Sequence, residues 1–283
     1  MRFDNLEKLY QDACLEELQA LKPGNVHIFA DGHDMTVQDF IKSAEVVAPI
    51  ITEANLALGE RIFNSVEATR KAVNCNTNLG IILLCAPLIQ ASHEPHGIGL
   101  AEHLKITLNN TTIDDCALCF NAIALANPAG LGESALHDVY QPPECTLLQA
   151  MQFAAKRDLI ARQYGNNFAD ILQFGVPNFE QAKSRWLNAS WATTYVYLCF
   201  LANDLDSHIV RKYSETLAKE VQKEAKHHLE IFAEIENPKT YSGKLLQWDT
   251  ELKARGINPG TSADLTVATL FAHKILEGNH GHT

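Results

Sequence analysis

Apolar residues recur along this chain with the period of an α-helix. From Thr36 they fall at Val37, Phe40, Ile41, Ala44, Val47, Ala48 and Ile51, which lie on one helical face. Thr36, followed three residues later by Asp39, reads as a capping-box-like start. A second stretch repeats the pattern at Leu217, Val221, Ala225, Leu229 and Phe232, with charges on the opposite face. The same spacing predicts helices over about 4–21, 77–92, 112–126, 144–164, 179–202 and 261–277. No segment alternates with a period of two, and no unit repeats along the chain. The breaks are short and rich in Gly, Pro and Asn. The expectation is all-α: one globular domain over 1–283, of roughly ten helices, with Asn279 to Thr283 as a frayed tail.

Composition narrows the class. A chain of 283 residues, 46% hydrophobic and 20% charged, can bury a large core and is not disordered. Its net charge of −11 argues against non-specific binding to nucleic acid or an anionic membrane. The longest apolar run, Leu79 to Ile89, is shorter than the ~20 residues a bilayer requires. The opening Met1-Arg2-Phe3-Asp4-Asn5-Leu6-Glu7 has no apolar h-region, and the seven cysteines are odd in number and scattered. Both features imply a cytoplasmic protein with reduced thiols. A homo-oligomer is compatible with this composition.

Four segments carry more polar residues than helix packing needs. Lys22 to Met35 is a connector that holds Lys22, Asn25, His27, His33 and Asp34. Asn74 to Gly80 precedes an apolar run; Asn76 or Thr77 can cap it, and its helix N-terminus suits an anion approaching over Asn78 and Gly80. Asp204 to Lys212 places acids before bases, as the helix dipole favours, and offers Asp206 and His208 as acid/base groups and Arg211 and Lys212 as phosphate contacts. Asn258 to Asp264 turns through Gly260, Thr261 and Ser262 into a helix and could cradle a phosphate, though it lacks the Gly-Lys-Ser/Thr ending of a P-loop. Cys116-Ala117-Leu118-Cys119 has zinc-like spacing but no second ligand pair, so two buried thiols are expected. His33-Asp34 matches the dyad of HD-type phosphohydrolases poorly, because His27, the nearest upstream histidine, lies in the same loop.

In their order, these segments resemble the triphosphoribosyl-dephospho-CoA synthase family. The resemblance rests on Lys22-Pro23-Gly24-Asn25-Val26-His27, Gly32-His33-Asp34-Met35, Asn76-Thr77-Asn78-Leu79-Gly80 and Pro259-Gly260-Thr261-Ser262-Ala263-Asp264. Asn127 to Asp138 and Arg157 to Tyr164 are similar to a subgroup found with methanopterin-linked one-carbon metabolism. Typical members carry Asp where this chain has His27, and His-Lys where it has Asn78-Leu79. The resemblance implies an all-helical enzyme that moves the triphosphoribosyl group of ATP to a ribose hydroxyl of 3′-dephospho-CoA and releases adenine.

Under that reading Asp34, with Asp206 second, assists the oxocarbenium-like centre or acts as base. His33 or His208 serves the departing adenine. Lys22, Arg211 and Lys212 neutralise the triphosphate. Mg²⁺ is expected on Asp34 or Asp264. Asn25, His27, Asn76, Thr77, Asn78, Gly80, Gly260 and Ser262 complete the substrate contacts, with Glu16 supporting the loop. The partners are then small molecules, ATP and a dephospho-CoA-like acceptor. Three other readings compete: a related transferase on another acceptor in one-carbon coenzyme biosynthesis, a metal-dependent nucleotide phosphohydrolase, and a helical interaction protein without catalysis.

Overall fold

The computed structural model describes residues 5–93, 98–128, 130 and 138–280. Fourteen α-helices are found among them: α1 (Leu6–Leu18), α2 (Val37–Ile51), α3 (Leu58–Val73), α4 (Leu79–Ser92), α5 (Leu100–Asn109), α6 (Ile113–Ala126), α7 (Leu147–Ala154), α8 (Leu159–Gly165), α9 (Val176–Trp186), α10 (Ala189–Asn203), α11 (Ser207–Lys212), α12 (Glu215–Glu234), α13 (Ser242–Ala254) and α14 (Gly260–His280). A π-helical turn over Asp170–Gly175 and a short 3₁₀ turn over Pro238–Tyr241 complete the set. The all-α expectation holds, with more and shorter helices than expected. No described helix is long and apolar enough to cross a membrane.

Local chemistry explains the divisions. Thr36 and Asp39 form the expected reciprocal cap of α2: Thr36 N–H donates to Asp39 Oδ2 at 2.8 Å, and Asp39 N–H to Thr36 Oγ1 at 3.3 Å. The segment read as one helix over 144–164 breaks because Asp158 caps a new helix, accepting from Ala161 N–H at 2.9 Å. The segment read as 179–202 breaks at Leu187, which is left-handed (φ 50°), and Asn188 caps α10. At the C-terminal end α14 continues to His280, so Asn279 and His280 are helical rather than frayed; residues 281–283 lie outside the described residues.

Helices α4, α10 and α14 are buried on nearly every side and occupy the centre. The apolar run Leu79 to Ile89 is therefore a core helix, and each fully buried Leu or Ile in it contributes about 1.5–3 kcal/mol. One apolar core gathers around α4 and the middle of α14; a second lies between α10, α12 and α13, around Phe232 and Trp248. Residues of α10 and α14 belong to both cores. Helices α2 and α3 pack on α4, α6 packs on α3, and α1 lies against α2 and α14. All seven cysteines are thiols, and Cys116 and Cys119 are buried on α6 with no metal-binding group of His, Cys, Asp or Glu among the described residues.

Helices α3 and α6 cross closely at Gly59. Asp115 accepts from Gly59 N–H at 2.7 Å through one oxygen and from the Thr112 N–H and hydroxyl at 2.8 Å through the other. A Cβ at Gly59 would stand 2.6 Å from Asp115 Cα. Gly59→Ala should therefore destabilise the protein by about 1–3 kcal/mol through overpacking against backbone. Urea unfolding measures this; an unchanged midpoint would refute the close approach.

Candidate functional site

The loop between α1 and α2 is pinned from beneath by buried charge. Lys22 is fully buried and donates to Glu17 and, at 2.8 Å, to Asn25 Oδ1. Asn25 Nδ2 donates in turn to Asn258 Oδ1 at 2.7 Å, which joins the loop to the turn before α14. Burial pushes Glu17 up and Lys22 down, against their mutual attraction. Further along, Asp249 of α13 accepts from Gly24 N–H at 2.8 Å and pairs with Lys253 at 3.1 Å and His27 Nε2 at 3.3 Å. Burial opposes that charge, but the His27, Gly24 and Lys253 contacts together hold the Asp249 carboxyl low. Burial keeps His27 below its ordinary pKa; its Nδ1 accepts from Phe29 N–H, so Nε2 carries the proton.

On this base the chain makes two tight turns, closed by backbone pairs His27–Ala30 and Gly32–Met35. His33 and Asp34 are consecutive left-handed residues, with φ of 58° and 59°. That conformation is costly away from glycine. His33 Nε2–H donates to Gly24 C=O at 2.8 Å, which fixes the turn.

A second buried carboxylate assembles the opposite wall. Asp206 accepts from His208 N–H at 2.9 Å and Ile209 N–H at 3.2 Å, capping α11, and from Ser262 N–H and hydroxyl, both at 2.8 Å, in the first turn of α14. Burial raises its pKa and these four donors pull it back. His208 then lies against Gly260, where a Cβ would come within 2.5 Å of Nδ1. Burial, followed by the charges of Arg211, Lys212 and His33, holds His208 down at about 4. Arg211 is oriented by Asp158, at 3.2 Å.

Between these walls lies a cavity of about 700 Å³, within the range of small-molecule sites. It is lined by Asn25, His33, Asp34, Asn76, Thr77, Asn78, Gly80, His208, Arg211, Lys212, Gly260 and Asp264, so four distant segments of the sequence meet there. Lys22, His27, Asp206 and Ser262 do not line it; they are buried behind the wall and hold its parts in place. Glu16 points elsewhere and pairs with Lys274 at 2.6 Å, while Glu17, one residue later, faces the cavity. Asn76 caps α4, accepting from Leu79 N–H at 3.1 Å, and Thr77 shares a hydrogen bond with Ser43 of α2 at 2.6 Å.

Sequence reasoning about single residues passed over Arg157, Asp158 and the apolar wall formed by Phe120, Ile123, Met151, Phe153 and Ile160. The signal was the Arg157-Asp158 pair interrupting an apolar-periodic segment. Arg157 lies over the Phe153 ring at 5.4 Å. Of the segment Asn127 to Asp138, Asn127, Pro128 and Asp138 reach the cavity; 129 and 131–137 lie outside the described residues.

Asp34 and Asp264, expected to hold Mg²⁺, belong to no cluster of metal-ligand side chains among the described residues. No group of three or more His, Cys, Asp or Glu side chains is placed to hold an ion among the described residues. Burial, then the neighbouring Glu17 and Asp206, pushes the Asp264 carboxyl well above the usual carboxylate range. Its oxygen rests against Gly80, 2.0 Å from where a Cβ would stand.

Known proteins share this sequence pattern and this fold. The sequence matches the family described as ATP:dephospho-CoA triphosphoribosyl transferase (CitG) over residues 3–282. The fold is similar to a crystal structure from Archaeoglobus fulgidus provisionally described as a triphosphoribosyl-dephospho-CoA synthase. The TM-score is 0.62 at 22% identity, over 82% of this chain and 96% of that one. No curated protein matches. With the family match spanning nearly its whole length, the chain belongs to the ATP:dephospho-CoA triphosphoribosyl transferase family.

Proposed function

We propose that the cavity is where the family's reaction takes place: the ribose hydroxyl of 3′-dephospho-CoA attacks C1′ of ATP and adenine leaves. The observation that carries this is the meeting of four separate polar segments on one chamber with a cationic side and an apolar side. The new C1′–O bond forms as the C1′–N9 bond breaks, and the bonding pair goes to adenine. The hydroxyl proton passes to a base, and adenine, left with the bonding pair at N9, takes up one proton from water, so the protons balance. No redox change occurs.

Asp34, on a turn of two left-handed residues, lines the chamber and acts as base or oxocarbenium stabiliser. Arg157, Arg211 and Lys212 neutralise phosphate charge. Neutral His208 and His33 offer hydrogen bonds to the departing base. Mg²⁺ enters as part of the ATP substrate, since that ion keeps several waters and asks few ligands of the protein. A phosphohydrolase gains no support from the family match, and His33-Asp34 lies on a tight turn between helices.

Incubation with ATP and dephospho-CoA, followed by chromatography, should show adenine released only when both are present. Asp34→Asn should lower that release at least ~100-fold with the fold retained. Near-normal release would remove Asp34 from the chemistry. His208 supplies a pH test of the wall. It is neutral when folded, held at about 4, whereas the unfolded chain takes up the proton near 6.5. Its contribution is therefore present above pH ~6.5 and is lost as pH falls toward ~4, by at most about 3 kcal/mol. Urea unfolding at about pH 7.5 and about pH 5 should show a smaller acid loss for His208→Gln than for the unsubstituted protein; equal losses would contradict the buried neutral imidazole.

A further inference from the structure

One corner of the cavity has a hydrogen-bonding pattern that phosphate does not fit. Asn78, at the start of α4, is 5% exposed and lines the chamber, and its Nδ2 meets no acceptor in the protein. Its side chain does not cap α4, since Asn76 supplies that bond. Two residues on, Gly80 has no side chain, and the Asp264 carboxyl from α14 occupies the space a Cβ would take. An N–H donor with no acceptor in the protein and a carboxyl oxygen thus both belong to the lining around the start of α4.

The surroundings select for a flat, neutral group. Leu79, Ile81 and Leu83 of α4 contribute apolar lining. Glu17 adds a second acid, and Lys22, the cation beside it, is committed to Glu17 and Asn25. Lys22 is therefore unavailable to a phosphate at this corner, whereas a purine brings apolar faces and no charge to its lining.

We propose that Asn78 and Asp264 together read the edge of the adenine base of ATP, Asn78 Nδ2–H donating to a ring nitrogen and the Asp264 carboxyl accepting from the exocyclic amine. The assignment rests on the reading of this cavity as the ATP site and adds the basis of its base specificity. Adenine carries an acceptor nitrogen next to an amine donor. Hypoxanthine, the base of ITP, reverses both: N1–H donates and O6 accepts. A site built for the first pattern leaves its own buried groups unpaired against the second.

Calorimetric titration of the full chain with ATP and with ITP, without acceptor, tests this. The unsubstituted protein should bind ATP at least ~100-fold more tightly than ITP. Asn78→Asp combined with Asp264→Asn inverts donor and acceptor at nearly constant volume, and should reverse the preference toward ITP. Affinities for ATP and ITP within threefold of each other on the unsubstituted protein would overturn the assignment without any variant. An ATP preference that the folded double variant retains would also overturn it, while leaving the cavity as an ATP site. Failure of the unsubstituted protein to bind ATP at all would overturn both readings.

Discussion

The Asp206 carboxylate accepts four hydrogen bonds, from two helix starts that face each other, and the arrangement of the cavity depends on it. Helix starts leave N–H groups without partners, and an acid there is favoured by the dipole. Here one side chain serves α11 and α14 together, so neither can turn without breaking the other's cap. Ser207 and Thr261 reinforce the joint through their hydroxyls, 3.0 Å apart. With the joint fixed, His208 is pressed over Gly260, and Arg211 and Lys212 follow one turn later on the cavity rim. Asp206 thus belongs to the positioning of the site, not to its surface.

The same division between supporting and exposed charge recurs beneath the α1–α2 loop. Lys22 and Asp249 are buried and fully engaged, while His33 and Asp34 stand in the chamber. A buried ion pair is a weak source of stability, because desolvation offsets most of the attraction. Its contribution here is geometric. Lys22 can be satisfied only with Glu17 and Asn25 in place, and Asp249 only with Gly24 and His27 in place. These contacts over-determine a turn that two left-handed residues would otherwise disfavour.

Much of this was legible in the sequence. Helical periodicity revealed the class, and Thr36 with Asp39 placed one start to the residue. Four of the polar segments that share the cavity were visible as excess polarity, while the Arg157-Asp158 pair was not. What stayed hidden has physical causes. Helix α3 has Ala57 where a capping side chain is expected, and its inner face buries Arg61, Ser65 and Thr69 among the apolar residues, which blurs the stripe. Arg61 is satisfied there by the Ile51 and Leu56 carbonyls and by Gln90. In α13 the buried Asp249 interrupts the stripe in the same way. The roles of Lys22, His27 and Asp206 were illegible because a polar residue in a loop looks alike whether it faces a ligand or another buried polar group. Only the three-dimensional partner distinguishes the two.

The position of α14 has a consequence for how the protein comes into being. This helix follows every other described element, yet it fills the centre, packs on α1 and α4, and provides Gly260 and Asp264 to the cavity. Until about residue 280 has left the ribosome, the apolar faces of α1, α4 and α10 have no permanent cover. Chains of this size expose such surface while they wait, and that surface invites aggregation. A fragment that lacks α14 cannot complete the core or the site, so folding of the residues before it waits for α14 to be made.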